Sequence, residues 1–259
     1  MHQQGILRTL GWVVIALGAA FATAVQAAAS VQSMYGDARA GNQQLRVGDR
    51  ITTGATITTG RGSLVVLRFD DSQVVVLNEN TTFKITDFRY RKEEPRNDRS
   101  IFDLVRGALR VISGAVASRN QNAFQLRAPQ ATIGIRGTDF MVAIVNPAFT
   151  SVGTGAISVT NAGGTTVFGA GSFGSVASSS SLAVSIPASA VPAAASAAFS
   201  NMSGLAGVVA GGMAPGAAPG SANVLGMTPA AAAGVGAAVA AGVAAASSGD
   251  NATTTHHAP

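Results

Sequence analysis

Two carboxylates stand side by side at Asp70 and Asp71, directly before Ser72. Adjacent carboxylates shift each other's pKa, which is a requirement of acid/base work and a starting point for Ca²⁺ binding. No calcium-loop spacing of oxygen ligands surrounds them, so the pair reads as solvated residues of a hairpin turn. Arg136-Gly137-Thr138-Asp139 offers a cation that could face an anionic partner. In that run Gly permits a tight bend, while Thr and Asp can hydrogen-bond neighbouring backbone, which makes a structural corner between two strands the expected role. Residues 88–99 interleave five basic and three acidic residues with Phe88 and Tyr90. Single-stranded nucleic-acid binders use basic-aromatic interleaving, but the acids dilute this patch. A solvated loop is expected, with weak attachment to anionic envelope polymers as the alternative.

The residue types that are missing narrow the chemistry further. The 259 residues contain no Cys, which removes thiolate nucleophiles, thiolate metal sites and disulfides together. The three His are His2, His256 and His257, so the body holds no imidazole to act as a general base or a ligand. The His256-His257 pair is too short to be a metal site by itself. The reading is of a protein that is not an enzyme, with no catalytic residue, no metal and no cofactor indicated. Glycines such as Gly169 and Gly171 lack the Lys and the strand-to-helix context of a phosphate loop and are read as turns.

Short strands must position these residues. In residues 63–69, Val65, Leu67 and Phe69 alternate with Leu64, Val66 and Arg68; the turn Asp70-Asp71-Ser72 and a partner strand at 73–77 follow. Further strands are expected at 83–85, 109–112, 124–127, 131–135, 140–145, 157–160 and 165–168, separated by Gly, Asn, Asp and Pro. Ile51-Thr52-Thr53-Gly54 is echoed at Ile57-Thr58-Thr59-Gly60, which suggests stacked rungs, although two copies fall short of a repeat array.

Both ends differ from this body. Residues 1–27 read as a signal peptide: a short basic start, an apolar run over 10–24, and Val25 and Ala27 at the −3 and −1 positions of a cleavage site. An uncleaved anchor is the alternative. The expected product starts near Ala28 and is periplasmic or secreted. All 17 Lys and Arg lie at or before Arg136, and Asp250 is the one charged residue beyond Asp139. From residue 177 the chain turns to Ala, Gly, Ser, Val and Pro, a composition that buries too little apolar surface to offset its ordering entropy. Residues 177–229 are therefore expected to be a flexible linker. Residues 230–259 are expected to hold a candidate helix and a polar tail, with Gly234, Ala238, Gly242 and Ala246 spaced for close helix approach. Weak membrane association or self-association through 230–246 is the role considered for it, beside a soluble coil.

Four ordered blocks resemble the FecR domain: Gly48-Asp49-Arg50-Ile51-Thr52-Thr53-Gly54, Leu67 to Ser72, Leu104-Val105-Arg106-Gly107-Ala108-Leu109, and the segment from Ala128 through Arg136-Gly137-Thr138-Asp139-Phe140. The resemblance implies an all-β, β-helix or solenoid-like extracytoplasmic domain, placed at residues 28–176. It also implies structural roles for Gly48, Asp49, Gly54, Asp71, Ser72, Gly107, Arg136, Gly137, Thr138 and Phe140. In such regulators a cytoplasmic segment and a membrane helix precede the sensing domain. Here the leader runs almost directly into the domain, so a stand-alone exported relative is expected and the iron-signalling role is not carried over. Where the family has Asp-Gly-Ser, this chain has Asp70-Asp71-Ser72, so Asp71 is expected to take the backbone region that Gly favours.

The expected function is a non-enzymatic recognition, scaffolding or signal-relay module of the bacterial envelope, whose partner is an envelope protein or glycan and not nucleic acid. The alternative is a secreted structural or adhesive protein whose C-terminal tract mediates assembly or membrane association.

Overall fold

A computed structural model describes residues 27–204. The strands are β1 (Ala27–Tyr35), β2 (Ala38–Ala40), β3 (Gln43–Gln44), β4 (Arg50–Thr52), β5 (Thr56–Thr59), β6 (Leu64–Phe69), β7 (Val74–Leu77) and β8 (Thr82–Arg89), then β9 (Arg99–Ile112), β10 (Phe124–Arg127), β11 (Thr132–Ile144), β12 (Ala148–Asn161), β13 (Gly164–Gly169), β14 (Phe173–Val176) and β15 (Val184–Ile186). Helix α1 (Ala115–Arg119) lies between β9 and β10, and helix α2 (Ala193–Ser203) follows β15. The signal-peptide reading of residues 1–27 lies outside the described residues except for Ala27, which begins β1, and the candidate helix at 230–246 lies outside them altogether.

All strands join one mixed sheet whose main path runs β15-β14-β12-β11-β10-β9-β7-β6-β1-β4. The alternating run before Asp70 forms the expected hairpin, with Val65 opposite Leu77 and Leu67 opposite Val75. The class is all-β, as the alternation implies. The stacking differs from a solenoid of parallel rungs: every ladder is antiparallel except β9 with β10. The two echoed segments do not stack on each other either. Ile51 lies on β4 against β1, whereas Ile57 lies on β5 against β2 and β8.

Three long strands change partners part-way along, and glycine marks each change. Strand β9 pairs with β8 through residues 99–106 and with β7 and β11 through residues 107–112. Gly107 sits at that switch with φ +87°, where a Cβ would collide with Thr81. Strand β11 pairs with β10 near Thr132 and with β9 from Asp139 onward, and its register slips between Arg136 and Asp139 around Gly137 at φ +58°. The expected corner between two strands is thus a bulge inside one continuous strand of 13 residues, a device that bends and re-twists a sheet without ending it. Strand β12 makes the matching change from β14 to β13, with Gly155 at φ +72° pressed against the backbone of Gly137.

Phenylalanine rings bridge the core. Phe88, Phe69, Phe102, Phe124 and Phe140 follow one another at centroid separations of 5.0, 5.1, 5.9 and 6.3 Å. Offset and edge-on contacts of this kind add to the burial that drives folding.

The ordered domain extends beyond residue 176. Within the expected flexible linker, 177–204 contains β15 and α2, and Ala195, Ala198, Phe199 and Met202 bury one face of α2 against β9 and β11. These four positions follow the i, i+3, i+4, i+7 pattern of an amphipathic helix. The Ser178–Ser181 stretch is also tied down, because the Asn161 side-chain amide donates to the carbonyls of Ser178 and Ser181 at 3.1 and 2.7 Å.

Candidate binding recess

The loop between β8 and β9 walls a recess of about 390 Å³. Its lining includes the Phe88–Arg91 run, Glu94, Asn97 and Asp70. Both signs of charge face it: Arg91 and Glu94 line it as a pair 3.4 Å apart, and Asp70 lines it while pairing at 3.7 Å with Arg50, which lies outside the lining. Asn97 donates to Glu94 at 3.0 Å and orients that carboxylate. Arg89 is held by Asp87 through two contacts of 3.0 and 3.2 Å. Exposed pairs of this kind contribute little stability but fix where charge is presented.

A buried framework sets the loop's shape. Asp98, expected in a solvated run, is 3% exposed, and one of its oxygens accepts the backbone N–H of Arg91 at 2.9 Å. Its other oxygen lies 3.6 Å from the Arg119 guanidinium. Arg119, the last residue of α1, also donates to the carbonyls of Arg91 and Lys92 and stacks on Tyr90 at 5.1 Å from the ring centroid. One side chain therefore fastens α1 to the recess loop.

The other end of α1 is held by Asp71, a second departure from the expected solvated turn. Asp71 is 2% exposed. One carboxylate oxygen accepts from the Gln73 N–H at 2.9 Å and the other from the Val116 N–H at 3.1 Å, while its backbone carbonyl accepts from Ala115. Burial pushes the Asp71 carboxyl above its ordinary pKa, against these hydrogen bonds, which favour the charged form. Gln73, fully buried, accepts from the Ser100 hydroxyl at 3.2 Å and joins this framework to β9. The positive φ expected at Asp71 falls instead on Ser72, at +70°.

The other motif positions serve turns and core. The Gly48 N–H donates to Val31 and Asp49 accepts from the Arg46 N–H at 2.8 Å. The Gly54 N–H donates to the Ile85 carbonyl. Thr138 is buried and exchanges hydrogen bonds with Ser113. Arg136 is exposed, whereas Phe140 ends the ring series in the core. None of the ten motif positions lines the recess. Among the described residues no group of three or more acidic, His or Cys side chains is placed to hold a metal ion, and no helix is long and apolar enough to cross a membrane.

The buried roles of Asp71 and Asp98 escape sequence reasoning, since acidic residues beside turns are ordinarily solvated. The signal that could reveal Asp71 is its place in a tight Asp-Asp-Ser turn with apolar strands on both sides.

No curated protein matches the chain. Two crystal structures of candidate anti-sigma factors from Parabacteroides distasonis ATCC 8503 align with 51% of this chain at 16% and 17% identity, with TM-scores of 0.40 and 0.41. The alignment spans 58% of each of those chains. The family model described as FecR protein matches residues 55–158, from β5 to β12, and a FecR domain accordingly occupies that part of the chain.

Proposed function

We propose that the FecR domain is a non-enzymatic recognition module of the bacterial envelope, exported by residues 1–27, which binds a protein segment at the β8–β9 recess and passes or scaffolds a signal there. The observation that carries this reading is the recess loop held on Asp98 and Arg119. A loop fixed by a buried carboxylate and an arginine bridging three backbone or side-chain oxygens is pre-organised, which lowers the ordering cost of binding. Paired charges of both signs beside Tyr90 suit a polypeptide of mixed charge better than a polyanion or a small apolar ligand. The anti-sigma designation of the two aligned structures belongs to those proteins, and a sigma-factor role is not assigned to this chain.

A photo-crosslinking residue placed at Asn97 tests the proposal in cells of the source bacterium. One defined adduct is expected from Asn97 and none from Val105, which is exposed on β9. Equal labelling from both positions, or none, would reject the recess as the binding face.

The charge-free stretch from Phe140 to Gly249 favours a second reading, in which that part of the chain mediates assembly.

A further inference from the structure

Strand β13 is an open sheet edge: its six residues pair with β12 and with no other strand among those described. Natural edges are blunted by charge, proline or shortness. The other terminal strands follow that rule, since β4 has three residues with Arg50 exposed, and β15 has three residues with Pro187 directly after them. Strand β13, Gly-Thr-Thr-Val-Phe-Gly, carries neither charge nor proline, and Val167 on it is 65% exposed. Leu182, 49% exposed, packs beside Gly164 and extends the apolar surface.

The surroundings restrict the occupant. No charged residue lies between Phe140 and Gly204; the 17 basic and 11 acidic residues before that segment carry an excess of +6, which Asp250 reduces to +5 for the whole chain. Two copies brought together at β13 keep their charged regions apart and set no like charges against each other, whereas a charged peptide finds no counter-charge there.

We propose that β13 is the contact through which two copies of this chain pair, edge to edge and antiparallel. A two-fold axis normal to the sheet keeps each face on its own side, so a residue meets its own copy or one an even number of positions away. Centred on Val167, the pairing sets Val167 against its mate, Thr165 against Gly169 and Thr166 against Phe168. Six residues per copy form a contact well below a standard interface, so the dimer is reversible and concentration-dependent.

Sedimentation of the full chain over a concentration series tests this. The weight-average mass is expected to rise from monomer toward dimer. Val167→Lys places two ammonium groups opposite each other and is expected to raise the dissociation constant about tenfold or more. Val105→Lys, at an exposed position on β9, is expected to leave it unchanged. A chain that stays monomeric throughout overturns the proposal. So does association that Val167→Lys leaves intact, which would assign self-association to another segment such as 230–246.

Discussion

Asp71 and Val116 are 45 positions apart in the chain, yet a carboxylate oxygen of the first accepts the backbone N–H of the second at 3.1 Å. The same carboxylate takes the Gln73 N–H, so one buried group closes the β6–β7 turn and starts α1. Asp71→Ala would strand both donors, at about 1–3 kcal/mol each. Asp71→Asn can still accept from Gln73, but it turns a donor or nothing toward Val116, so an intermediate loss is expected in urea unfolding at neutral pH.

The pH dependence of that loss has a definite sign. Burial raises the Asp71 carboxyl above its ordinary value of 3.8, so the folded state binds this proton more tightly than the unfolded state does. Stability from this group is therefore fully present below 3.8 and falls as pH rises through the raised value. Relative to Asp71→Asn, the natural protein is expected to gain stability as pH is lowered from 7 toward 4. A difference that shrinks over that range would show that the two N–H donors, not burial, dominate the carboxylate's energetics.

Arg119→Ala removes the cation facing Asp98, whose side chain is 1% exposed, and frees the carbonyls of Arg91 and Lys92. Loss of one partner of a buried pair costs about 3–5 kcal/mol, and the partial exposure of Arg119 places the cost at the low end. Adding Asp98→Asn neutralises the stranded charge. The double variant is therefore expected to be more stable than Arg119→Ala alone, and strict additivity in the double-mutant cycle would rule out a direct coupling.

The strand content and the β6–β7 hairpin are legible in residues 64–77, because alternation of apolar side chains encodes a half-buried strand directly. Partner switching is not, since a run such as residues 132–144 looks like two strands when a glycine bulge interrupts its alternation. Helix α2 is hidden for a different reason. Ala195 and Ala198 occupy two of its four buried positions, and in a segment dominated by Ala and Ser they do not stand out from the exposed alanines around them. The recess depends on Asp98 and Arg119, 21 positions apart, and no local pattern records such a pairing.

Gly137 and Gly155 provide a comparison between backbone conformation and crowding. Both have positive φ, but open space surrounds the missing Cβ of Gly137, whereas that of Gly155 would strike the Gly137 and Arg136 carbonyls. Gly137→Ala should cost about 1–2 kcal/mol for the left-handed backbone alone. Gly155→Ala carries the same cost plus a backbone shift of about 1–3 kcal/mol. Thermal denaturation that ranks Gly137→Ala as the more damaging change would mean that the bulge is shaped by something other than this contact.

Helix α2 completes the domain by covering β9 and β11, and Arg110 holds it in place. The Arg110 guanidinium grips Asp139 through contacts of 2.8 and 2.6 Å and donates to the Met202 carbonyl at 3.0 Å near the helix C-terminus. The bidentate bond to Asp139 raises the Arg110 pKa further, so the group stays charged across the accessible pH range. Phe199→Ala removes the largest side chain of the buried face, at about 3 kcal/mol, which corresponds to roughly 6–12 °C in melting temperature for a domain of this size. A chain ending at Gly204 is expected to melt like the full chain, and one ending at Val176 to melt at least as early as Phe199→Ala, because it loses Phe199, Met202 and the Arg110 contact together. If the chain ending at Val176 melts with the longer one, α2 is an ornament on a domain that is already complete at β14.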